Sequence, residues 1–294
     1  MDKKGYEFPY THKGADVACN AGYFQLPCLS NAREYSDYIM RFTSDTGPIM
    51  SSFAGYEDEE TFLNARAQNL SKIDFVRLQS SSEGEEAWLT DQIINFYLTC
   101  VLSARQDFLN TNLPDGIKEK RWICFSSFFL HSLLNDKYKD ETKRNKYSED
   151  IGRRWLKHED FINSKGLLIP FNQGENHWIL VKVDFDCKCI SYIDSMCGEG
   201  KRTEKRVQKR MQAIVTFMEQ RWTESPEKTP HIKDWSFVHS KQGVSQQNNF
   251  VDCGVFVCMY VDYIMLGHAL DFPPAQCTNY RKLMLDKLWN FYLP

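Results

Sequence analysis

The sequence predicts an α+β domain, in which helices precede and follow a central block of strands. Residues 204–222, "EKRVQKRMQAIVTFMEQRW", repeat their apolar positions at the 3.6-residue period of a helix. In residues 166–196 the pattern changes to short runs rich in β-branched and aromatic side chains, separated by turn signals. The chain has 294 residues, of which 42% are hydrophobic, so it can bury a core large enough for such a domain.

The first strong helical signal is "AWLTDQIINFYLTCVL", residues 87–102. Its large apolar side chains, beginning with Trp88 and Leu89, fall at helical spacing and predict one buried face. Thr90 or Asp91 is suited to cap this helix, because an oxygen on either side chain can accept a bond from an amide of the first turn.

Three more helices are expected along the chain. Residues 121–134, "RWICFSSFFLHSLL", predict the second helix of the N-terminal half. The segment from about Gly254 to Met265 is apolar almost all round, which is typical of a helix buried in a core. Residues 280–293, "YRKLMLDKLWNFYL", predict the last helix.

The β block contains a predicted antiparallel hairpin of residues 177–184 and 187–194. Pro170 and the turn sequence "NQGEN" separate it from the apolar run before it. If the hairpin turns tightly at residues 185–186, His177 and Asp194 face each other, and facing residues have Cβ atoms roughly 4.5–5.5 Å apart.

Composition limits the partners of the chain. Its net charge is −3, with no global excess of either sign that would indicate nucleic acid or a membrane surface. No stretch approaches the roughly 18 apolar residues of a membrane span, and "MDKKGYEFPYTHKG" lacks the apolar region of a signal peptide. Ten cysteines in such a chain are better interpreted as reduced thiols than as disulfides. We therefore expect a monomeric protein of the nucleus or cytoplasm.

The stretch "QQNNFVDCGVFVCMY", residues 246–260, places polar side chains directly before a cysteine and an apolar helix. Cys253 would lie at the helix N-terminus, where the helix dipole favours the thiolate, the form that attacks a carbonyl. Gly254 would leave room for a substrate backbone beside the sulfur. The alternative is a buried structural cysteine.

A nucleophilic cysteine needs a base, and the base needs an orienting group. His177 and Asp194, placed together by the predicted hairpin, are the candidates, although each is also suited to a strand end or a turn. Gln247 is the candidate donor to the oxyanion, together with the backbone N–H of Cys253, since a fixed amide donor there contributes about 2.7–4 kcal/mol. The alternative for Gln247 is a solvated loop amide.

Taken together, these motifs resemble the ubiquitin-like-protein-specific cysteine proteases, the SUMO (sentrin) proteases and their relatives. The pattern consists of His177-Trp178, Asp194, and "QxNxxDCG" ending at Gly254. "AWLTDQIINFYL" resembles the Trp-Leu-Asn-Asp entry helix of the family, with Thr90 in place of Asn. "FSSFFLHSL", "GRRWLKHEDFINSKGLLIPFN" and "DYIMLGHALDFPPAQCTNYRKLML" resemble three further family segments in the right order.

The resemblance implies a papain-like cysteine protease fold with a mixed or antiparallel sheet flanked by helices. It implies cleavage after the C-terminal Gly-Gly of a ubiquitin-like modifier, without a cofactor or metal. The catalytic residues implied are Cys253, His177, Asp194 and Gln247.

The resemblance also implies residues that bind the substrate. Trp88 and Trp178 match two tryptophans that enclose the di-glycine tail, and a flat aromatic lid excludes any residue with a Cβ. Asp91 matches an acid that pairs with an arginine of the modifier, and Asp252 belongs to the same substrate-binding set. Core packing of the tryptophans and helix capping by Asp91 are the structural alternatives.

Two features stay outside this set. Cys187, Cys189 and Cys197 have some character of a zinc site, but no second pair completes the usual four ligands. The run "GKRTEKRVQKR" (200–210) carries six basic residues, which are suited to an acidic modifier surface or to nucleic acid, although the polar face of an amphipathic helix is the simpler interpretation.

The resemblance covers residues 72–294, so we predict a protease domain there and an N-terminal extension of unknown role in residues 1–71. The modifier is open between SUMO, a Nedd-type protein and ubiquitin. The Arg-Trp segment and Ser195-Met196 favour SUMO. An acyltransferase that uses the same triad is the main alternative activity, and a catalytically inactive modifier-binding module is the other.

Overall fold

A computed structural model describes residues 32–43, 46–55, 57, 61–65, 68–79, 84–111, 119–134, 161, 163–197, 201–223, 235–239 and 243–292. None of the helices in these ranges is long and apolar enough to cross a membrane.

Helices and strands alternate along the chain in the order that an α+β domain requires. The helices are α1 (Ala32–Arg41), α2 (Gly47–Ser51), α3 (Lys72–Gln79), α4 (Asp91–Phe96), α5 (Ser103–Thr111), α6 (Phe128–Leu133), α7 (Lys201–Thr223), α8 (Cys253–Met265) and α9 (Cys277–Tyr292). The strands are β1 (Thr61–Ala65), β2 (Gln68–Ser71), β3 (Trp122–Cys124), β4 (Gly166–Gln173), β5 (His177–Asp184), β6 (Cys189–Ile193) and β7 (Ser236–His239).

The central sheet has five strands in the order β3-β4-β5-β6-β7. β4, β5 and β6 form an antiparallel meander, while β3 and β7 join its two edges in parallel. The sheet is therefore mixed, as predicted.

The strands of the meander bury both of their faces, in agreement with their nearly continuous apolar sequence. On β5, Trp178 and Leu180 belong to a core cluster with α8, whereas Ile179, Val181 and Val183 belong to a second cluster with α7. The strand period of two thus assigns alternate side chains to opposite layers. Helices cover the sheet on both sides.

Pro170 lies within β4 rather than at its end, so the proline does not separate two runs as its sequence position suggested. It faces Leu180 of β5, while β3 accompanies β4 only from Gly166 to Leu168. On the β3 side, the position of Pro170 therefore needs no amide donor, which is the condition under which a sheet accepts proline.

The predicted β5–β6 register is wrong by two residues. Asp184 faces Cys189, and Leu180 faces Ile193, because the connection is a four-residue turn rather than a two-residue one. The Asp184 carboxylate accepts a hydrogen bond from the Cys187 amide at 3.0 Å, and Lys188 adopts a left-handed φ of 50°. A shift of two residues leaves each side chain on its predicted face.

Two helix predictions need correction at their N-terminal ends. Within 121–134, residues Trp122–Cys124 form strand β3, and only Phe128–Leu133 is helical. Trp88 and Leu89 precede α4, which begins at Asp91 with Thr90 as its N-cap. After α4 the backbone continues as a π-helical segment, Tyr97–Leu102, before α5, a feature that apolar spacing does not predict.

The N-terminal elements contribute to the same core as α8. Tyr35 and Ile39 of α1, Ile49 of α2 and Leu70 of β2 are buried in the cluster that includes α8 and α9. The boundary at residue 71 stays a prediction, but residues 32–71 share the core with the predicted protease domain.

Candidate active site

Cys253 is the first residue of α8, as the sequence predicted, and its side chain is buried. The helix packs against β5 on one side and α9 on another, and all its residues from Cys253 to Ile264 are buried. Packing on every side fixes the position of the sulfur relative to the sheet.

Gly254 has a packing role rather than the substrate-access role that we expected. A Cβ added there would lie 3.0 Å from the Leu89 Cβ, 3.2 Å from the Ile94 Cδ1 and 3.3 Å from the Trp178 Cδ1. The space beside Gly254 is thus filled by the protein itself. Its missing side chain lets α8 approach α4 and β5 closely.

His177 and Asp194 meet, although they are not paired across the hairpin. The His177 Nε2 lies 2.7 Å from the Asp194 Oδ1, and both side chains are largely buried. The same carboxylate oxygen accepts a bond from the Met196 amide at 2.8 Å. The Nδ1 of His177 is therefore the ring nitrogen left to interact with the thiol.

The electrostatics of His177 favour its protonated form. Burial alone would lower the pKa of His177, but the hydrogen bond with Asp194 and the nearby Cys253 side chain raise the pKa to about 9. At neutral pH the histidine therefore carries a proton, and it forms an ion pair with Asp194. A positive imidazolium therefore lies beside Cys253 at the start of α8.

Two loops that carry the site are held together by hydrogen bonds from backbone and side-chain groups. The backbone N–H of Gln247 donates to the backbone carbonyl of Ser195 at 2.9 Å, and the Ser195 hydroxyl donates to the Gln247 Oε1 at 2.6 Å. The side chain of Gln246 donates a hydrogen bond to the Asp194 carbonyl and accepts one from the Cys197 backbone N–H. The loop after β6 and the loop before α8 are thereby joined.

Gln247 lies in this joint with its side chain ordered. Its Nε2 donates to the Asn249 carbonyl at 2.7 Å, which uses one of its two protons. The amide is held from both ends rather than freely solvated. Its second proton is available for another acceptor.

Asp252 is engaged by side chains of this chain, and its assignment to substrate binding stays a prediction. Its Oδ1 accepts bonds from the Arg281 Nε at 2.9 Å and Nη2 at 2.7 Å, and its Oδ2 accepts one from Asn249 at 2.7 Å. Since both oxygens are used, Asp252 holds the loop before Cys253 in place.

Arg281, on α9, was not identified from the sequence. Besides Asp252, it donates to the backbone carbonyls of Arg77, Ala87 and Val251. It therefore joins the segment before Trp88 to the segment before Cys253. The only signal for Arg281 in the sequence was its position in the segment that resembles the closing region of the family.

The two candidate tryptophans have different environments. Trp88 is half-buried and donates its Nε1–H to the Phe250 carbonyl at 3.2 Å. Trp178 is 4% exposed and donates to the Leu89 carbonyl at 3.1 Å. Trp88 is thus at the solvent-facing mouth of the site, while Trp178 supports the site from the core.

Thr90 and Asp91 begin α4. The Thr90 hydroxyl caps the helix by accepting from the Ile93 amide at 3.2 Å and donates to Asp74 at 2.6 Å. Burial raises the pKa of Asp91, and the nearby Asp74 raises it further, although hydrogen bonds from backbone amides to the Asp91 carboxylate lower it. Thr90 is therefore the cap, which leaves the Asp91 carboxylate available for a partner.

A groove of about 360 Å³ opens beside the His177–Asp194 pair. Its lining includes His177, Asp194 and Trp88, together with Phe250, which is 77% exposed. Phe250 was not identified from the sequence, because an isolated aromatic residue in a polar loop has no spacing pattern.

The other cysteines in the described ranges are free thiols. Cys197 lies with its sulfur 3.4 Å from the His239 Nε2, while Cys187 is exposed in the β5–β6 turn. Among the residues with described positions, no three His, Cys, Asp or Glu side chains form a metal-binding group. The absence of a zinc site stays a prediction.

A cysteine at the start of a buried helix and a His–Asp pair at the ends of two neighbouring strands of a mixed sheet are typical of papain-like enzymes with a cysteine nucleophile. The model of the Ulp1 protease family, C-terminal catalytic domain, matches residues 87–290. The chain belongs to this family, and the resemblance drawn from its motifs is confirmed.

Similar proteins include sentrin-specific protease 2 of Homo sapiens, which is 24% identical over 251 residues, covering 85% of this chain and 37% of that protein. Sentrin-specific protease 3 of Mus musculus is 28% identical over 201 residues, covering 68% of this chain and 29% of that protein. The matched part thus spans 37% of the length of the first relative and 29% of the second.

Solved structures share the fold. The C-terminal Ulp1 protease domain in complex with Smt3, the yeast ortholog of SUMO, superposes with a TM-score of 0.60 at 20% identity, covering 83% of this chain and 93% of that one. The Chaetomium thermophilum Ulp1-like SUMO protease catalytic domain gives 0.57 at 19% identity, covering 83% and 88%. The predicted fold class is confirmed.

Proposed function

We propose that this protein is a cysteine protease that cleaves after the C-terminal Gly-Gly of a ubiquitin-like modifier, with SUMO favoured. The observation that carries the proposal is the His177–Asp194 pair, 2.7 Å between heavy atoms, beside Cys253 at the start of α8. Its substrates are conjugates of the modifier, its precursor, or both.

The first step forms an acyl-enzyme. The Cys253 thiolate attacks the carbonyl carbon of the terminal glycine, forming the C–S bond and placing negative charge on oxygen. The Cys253 amide and the free proton of Gln247 stabilise that charge. The C–N bond then breaks as the His177 imidazolium gives its proton to the leaving nitrogen, which departs as an amine.

The second step regenerates the enzyme with water. Neutral His177 accepts a proton from a water molecule, and the resulting hydroxide attacks the thioester carbon. The C–S bond breaks, the modifier leaves with a free carboxylate, and Cys253 returns to its thiolate form. Asp194 stabilises the imidazolium in both steps without being protonated itself.

Recognition of the tail is assigned to the aromatic residues at the mouth of the site. Trp88 covers the di-glycine from the solvent side, and Trp178 supports the opposite wall. Asp91 pairs with a basic side chain of the modifier, for which its partly buried carboxylate at the start of α4 is suited. Exposed Phe250 adds apolar contact area.

SUMO is favoured because the relatives are named sentrin-specific proteases and a solved relative was crystallised with Smt3. Ser195-Met196 after the catalytic aspartate supports the same choice. We propose a monomer that acts in the nucleus or cytoplasm, with neither nucleic acid nor membrane as a partner.

The test is a reaction of the protein with SUMO, a Nedd-type modifier and ubiquitin, each carrying a C-terminal electrophile. Intact mass and peptide mapping should show one covalent adduct on Cys253 with SUMO. Cys253→Ser should retain binding of SUMO and lose both the adduct and turnover. Cys258→Ser, a buried thiol on the same helix, is the matched control and should still react.

Other outcomes separate the alternatives. An adduct with the Nedd-type modifier or ubiquitin alone would overturn the choice of SUMO. No adduct with any modifier would overturn the protease proposal, and binding without reaction would then indicate an inactive binding module. Acyl transfer to an amine in place of hydrolysis would indicate the acyltransferase.

A further inference from the structure

The groove beside the catalytic pair continues from His177 towards α7. On the side of α7 it is lined by Arg206 and Arg210, which lie one turn apart on that helix, and Tyr192 of β6 lines it as well. His177 begins β5 on the face that α7 covers, so the groove connects the catalytic histidine directly to these two cations.

The charges along this groove do not balance. Among the lining residues that the structure describes, Asp194 is the sole carboxylate, and it is already paired with His177. Arg206 and Arg210 have no such counter-charge, so the groove carries a net positive charge on its α7 side. A ligand that fits it should therefore be negatively charged.

Arg210 is built into the wall of the groove. It is buried, and its guanidinium donates to the Gln173 side-chain carbonyl and to the Tyr192 hydroxyl, both neutral acceptors. It also lies over the Phe171 ring, 4.8 Å from the ring centroid. In the described part of the chain no carboxylate forms an ion pair with Arg210. Its positive charge therefore contributes to the electrostatic potential in the groove.

Arg206 presents its charge to solvent at the groove. It is exposed, and it makes no hydrogen bond or ion pair with any residue in the described ranges. It lies one turn before Arg210 on the same face of α7, so the two guanidinium groups are suited to act on one anionic group.

The position of the groove indicates which part of the substrate enters it. His177 gives its proton to the leaving amine, so the leaving nitrogen must lie against the imidazole. The chain that carries this amine must then leave through open space beside His177. Trp178 leaves no such space on the other face of β5, because it is buried.

We propose that the Arg206–Arg210 side of the groove is a specificity subsite for an acidic side chain on the leaving segment, close to the lysine that is released. This inference rests on the proposed protease function. Arg206 makes the contact, and Arg210 supplies a fixed positive charge behind it. The subsite selects among conjugated targets without contacting the modifier.

The experiment uses SUMO joined through an isopeptide bond to the lysine of a short peptide. One glutamate is placed at each position flanking the lysine in turn, and each peptide is compared with its glutamine counterpart. The ratio of kcat/KM between glutamate and glutamine conjugates measures the preference. SUMO carrying a C-terminal aminocoumarin, which has no leaving peptide, is measured beside them.

At one or more positions the wild-type ratio should be about two- to fivefold, the range of a solvent-accessible ion pair. Arg206→Ala should bring the ratio to about one, and Arg206→Glu should reverse it. Raising salt from about 50 to 300 mM should reduce the wild-type preference, because exposed charges are screened. Lys205→Ala, an exposed neighbour that does not line the groove, should keep the wild-type ratio.

A ratio of one at every position, or a preference that Arg206→Ala leaves intact, would overturn the subsite. Neither result affects the protease proposal, which the aminocoumarin substrate tests by itself. Failure of the wild-type protein to cleave that substrate, or any SUMO conjugate, would overturn the proposed function and the subsite with it.

Discussion

At the scale of single residues, the site depends on the imidazole of His177. Two opposing effects act on it: burial disfavours its charge, and Asp194 and Cys253 favour it. The second effect is larger, so the pKa of His177 rises to about 9, above the roughly 6.5 of a free histidine. The stability that this ion pair contributes to the folded protein is thus fully present below about pH 6.5 and is lost as pH rises through about 9.

This predicts the alkaline limit of activity. The kcat/KM should fall as pH rises through about 9, because neutral His177 has no proton for the leaving amine. Asp194→Asn removes the carboxylate that raises the pKa of His177, so this limb should move to lower pH. The rate at pH 7 should fall roughly 10²- to 10⁴-fold. A pH series on a SUMO-aminocoumarin substrate measures both effects.

Asp186→Asn is the matched control, since Asp186 is an exposed turn carboxylate whose ion-pair partner within the described ranges is exposed Lys120. Its profile should coincide with that of the wild type. An alkaline limb that stays in place in Asp194→Asn would show that the pKa belongs to another group.

At the scale of elements, the site is a junction of three segments: the start of β5, the loop after β6 and the start of α8. None of them holds its catalytic side chain alone. Gln246 and Gln247 join the two loops, and Arg281 of α9 fastens the loop before Cys253 through Asp252. We therefore expect the geometry of the site to depend on Arg281, although within the described ranges this residue makes no hydrogen bond with Cys253 or His177.

Arg281→Ala should lower both stability and turnover. It leaves the buried Asp252 carboxylate without its counter-charge, which costs about 3–5 kcal/mol, and frees the loop before Cys253. Chemical denaturation should show the loss of stability, and kcat on the folded variant should fall. Far-UV circular dichroism at low temperature distinguishes a folded variant from an unfolded one.

Two controls separate the ion pair from a general effect of mutating α9. Lys282→Ala, at an exposed position one residue along, should leave stability within about 0.5 kcal/mol of the wild type. Arg281→Leu combined with Asp252→Asn removes both charges and should be more stable than Arg281→Ala. If it is not, the cost does not arise from an unpaired carboxylate.

At the scale of the whole molecule, α8 is tied to its neighbours by a buried polar cluster around Asp262. Burial alone would raise the pKa of Asp262, but Arg105 and Lys287 hold it below its usual range. Arg105 pairs with the carboxylate, while Tyr35 and Tyr280 donate their hydroxyls to it. Helices α1, α5 and α9 thus converge on the helix that carries Cys253.

Tyr35→Phe should lower the free energy of unfolding by about 1–3 kcal/mol, because it removes a hydrogen bond to a buried charge but keeps the ring. The kcat/KM of the folded protein should stay at the wild-type value, since the catalytic residues are untouched. Tyr38→Phe, a partly buried tyrosine on the same helix, is the control and should change stability by less than about 0.5 kcal/mol. Equal losses in the two variants would contradict a special role for the Asp262 cluster.

Local patterns predicted much of this molecule. The helical periods of α7, α8 and α9 are confirmed to within a few residues, because the apolar face of a helix repeats within a single segment. Trp122–Cys124 was predicted as helix because a short apolar run does not distinguish the two states, and pairing with β4 decides it. The register of β5 and β6 was missed for a similar reason, since the Asp184–Cys187 contact lengthens the turn.

The sequence by itself determined the family and predicted the nucleophile, the histidine and its aspartate, because these residues lie in short motifs whose spacing is a property of the chain. Only the tertiary structure decided that Gly254 serves packing and that Asp252 is bound by Arg281. It alone showed that Arg206 and Arg210 line the groove beside His177. Each of these facts depends on a contact between residues distant in sequence. Such contacts are set by burial and charge pairing across the assembled core, and no local pattern records them.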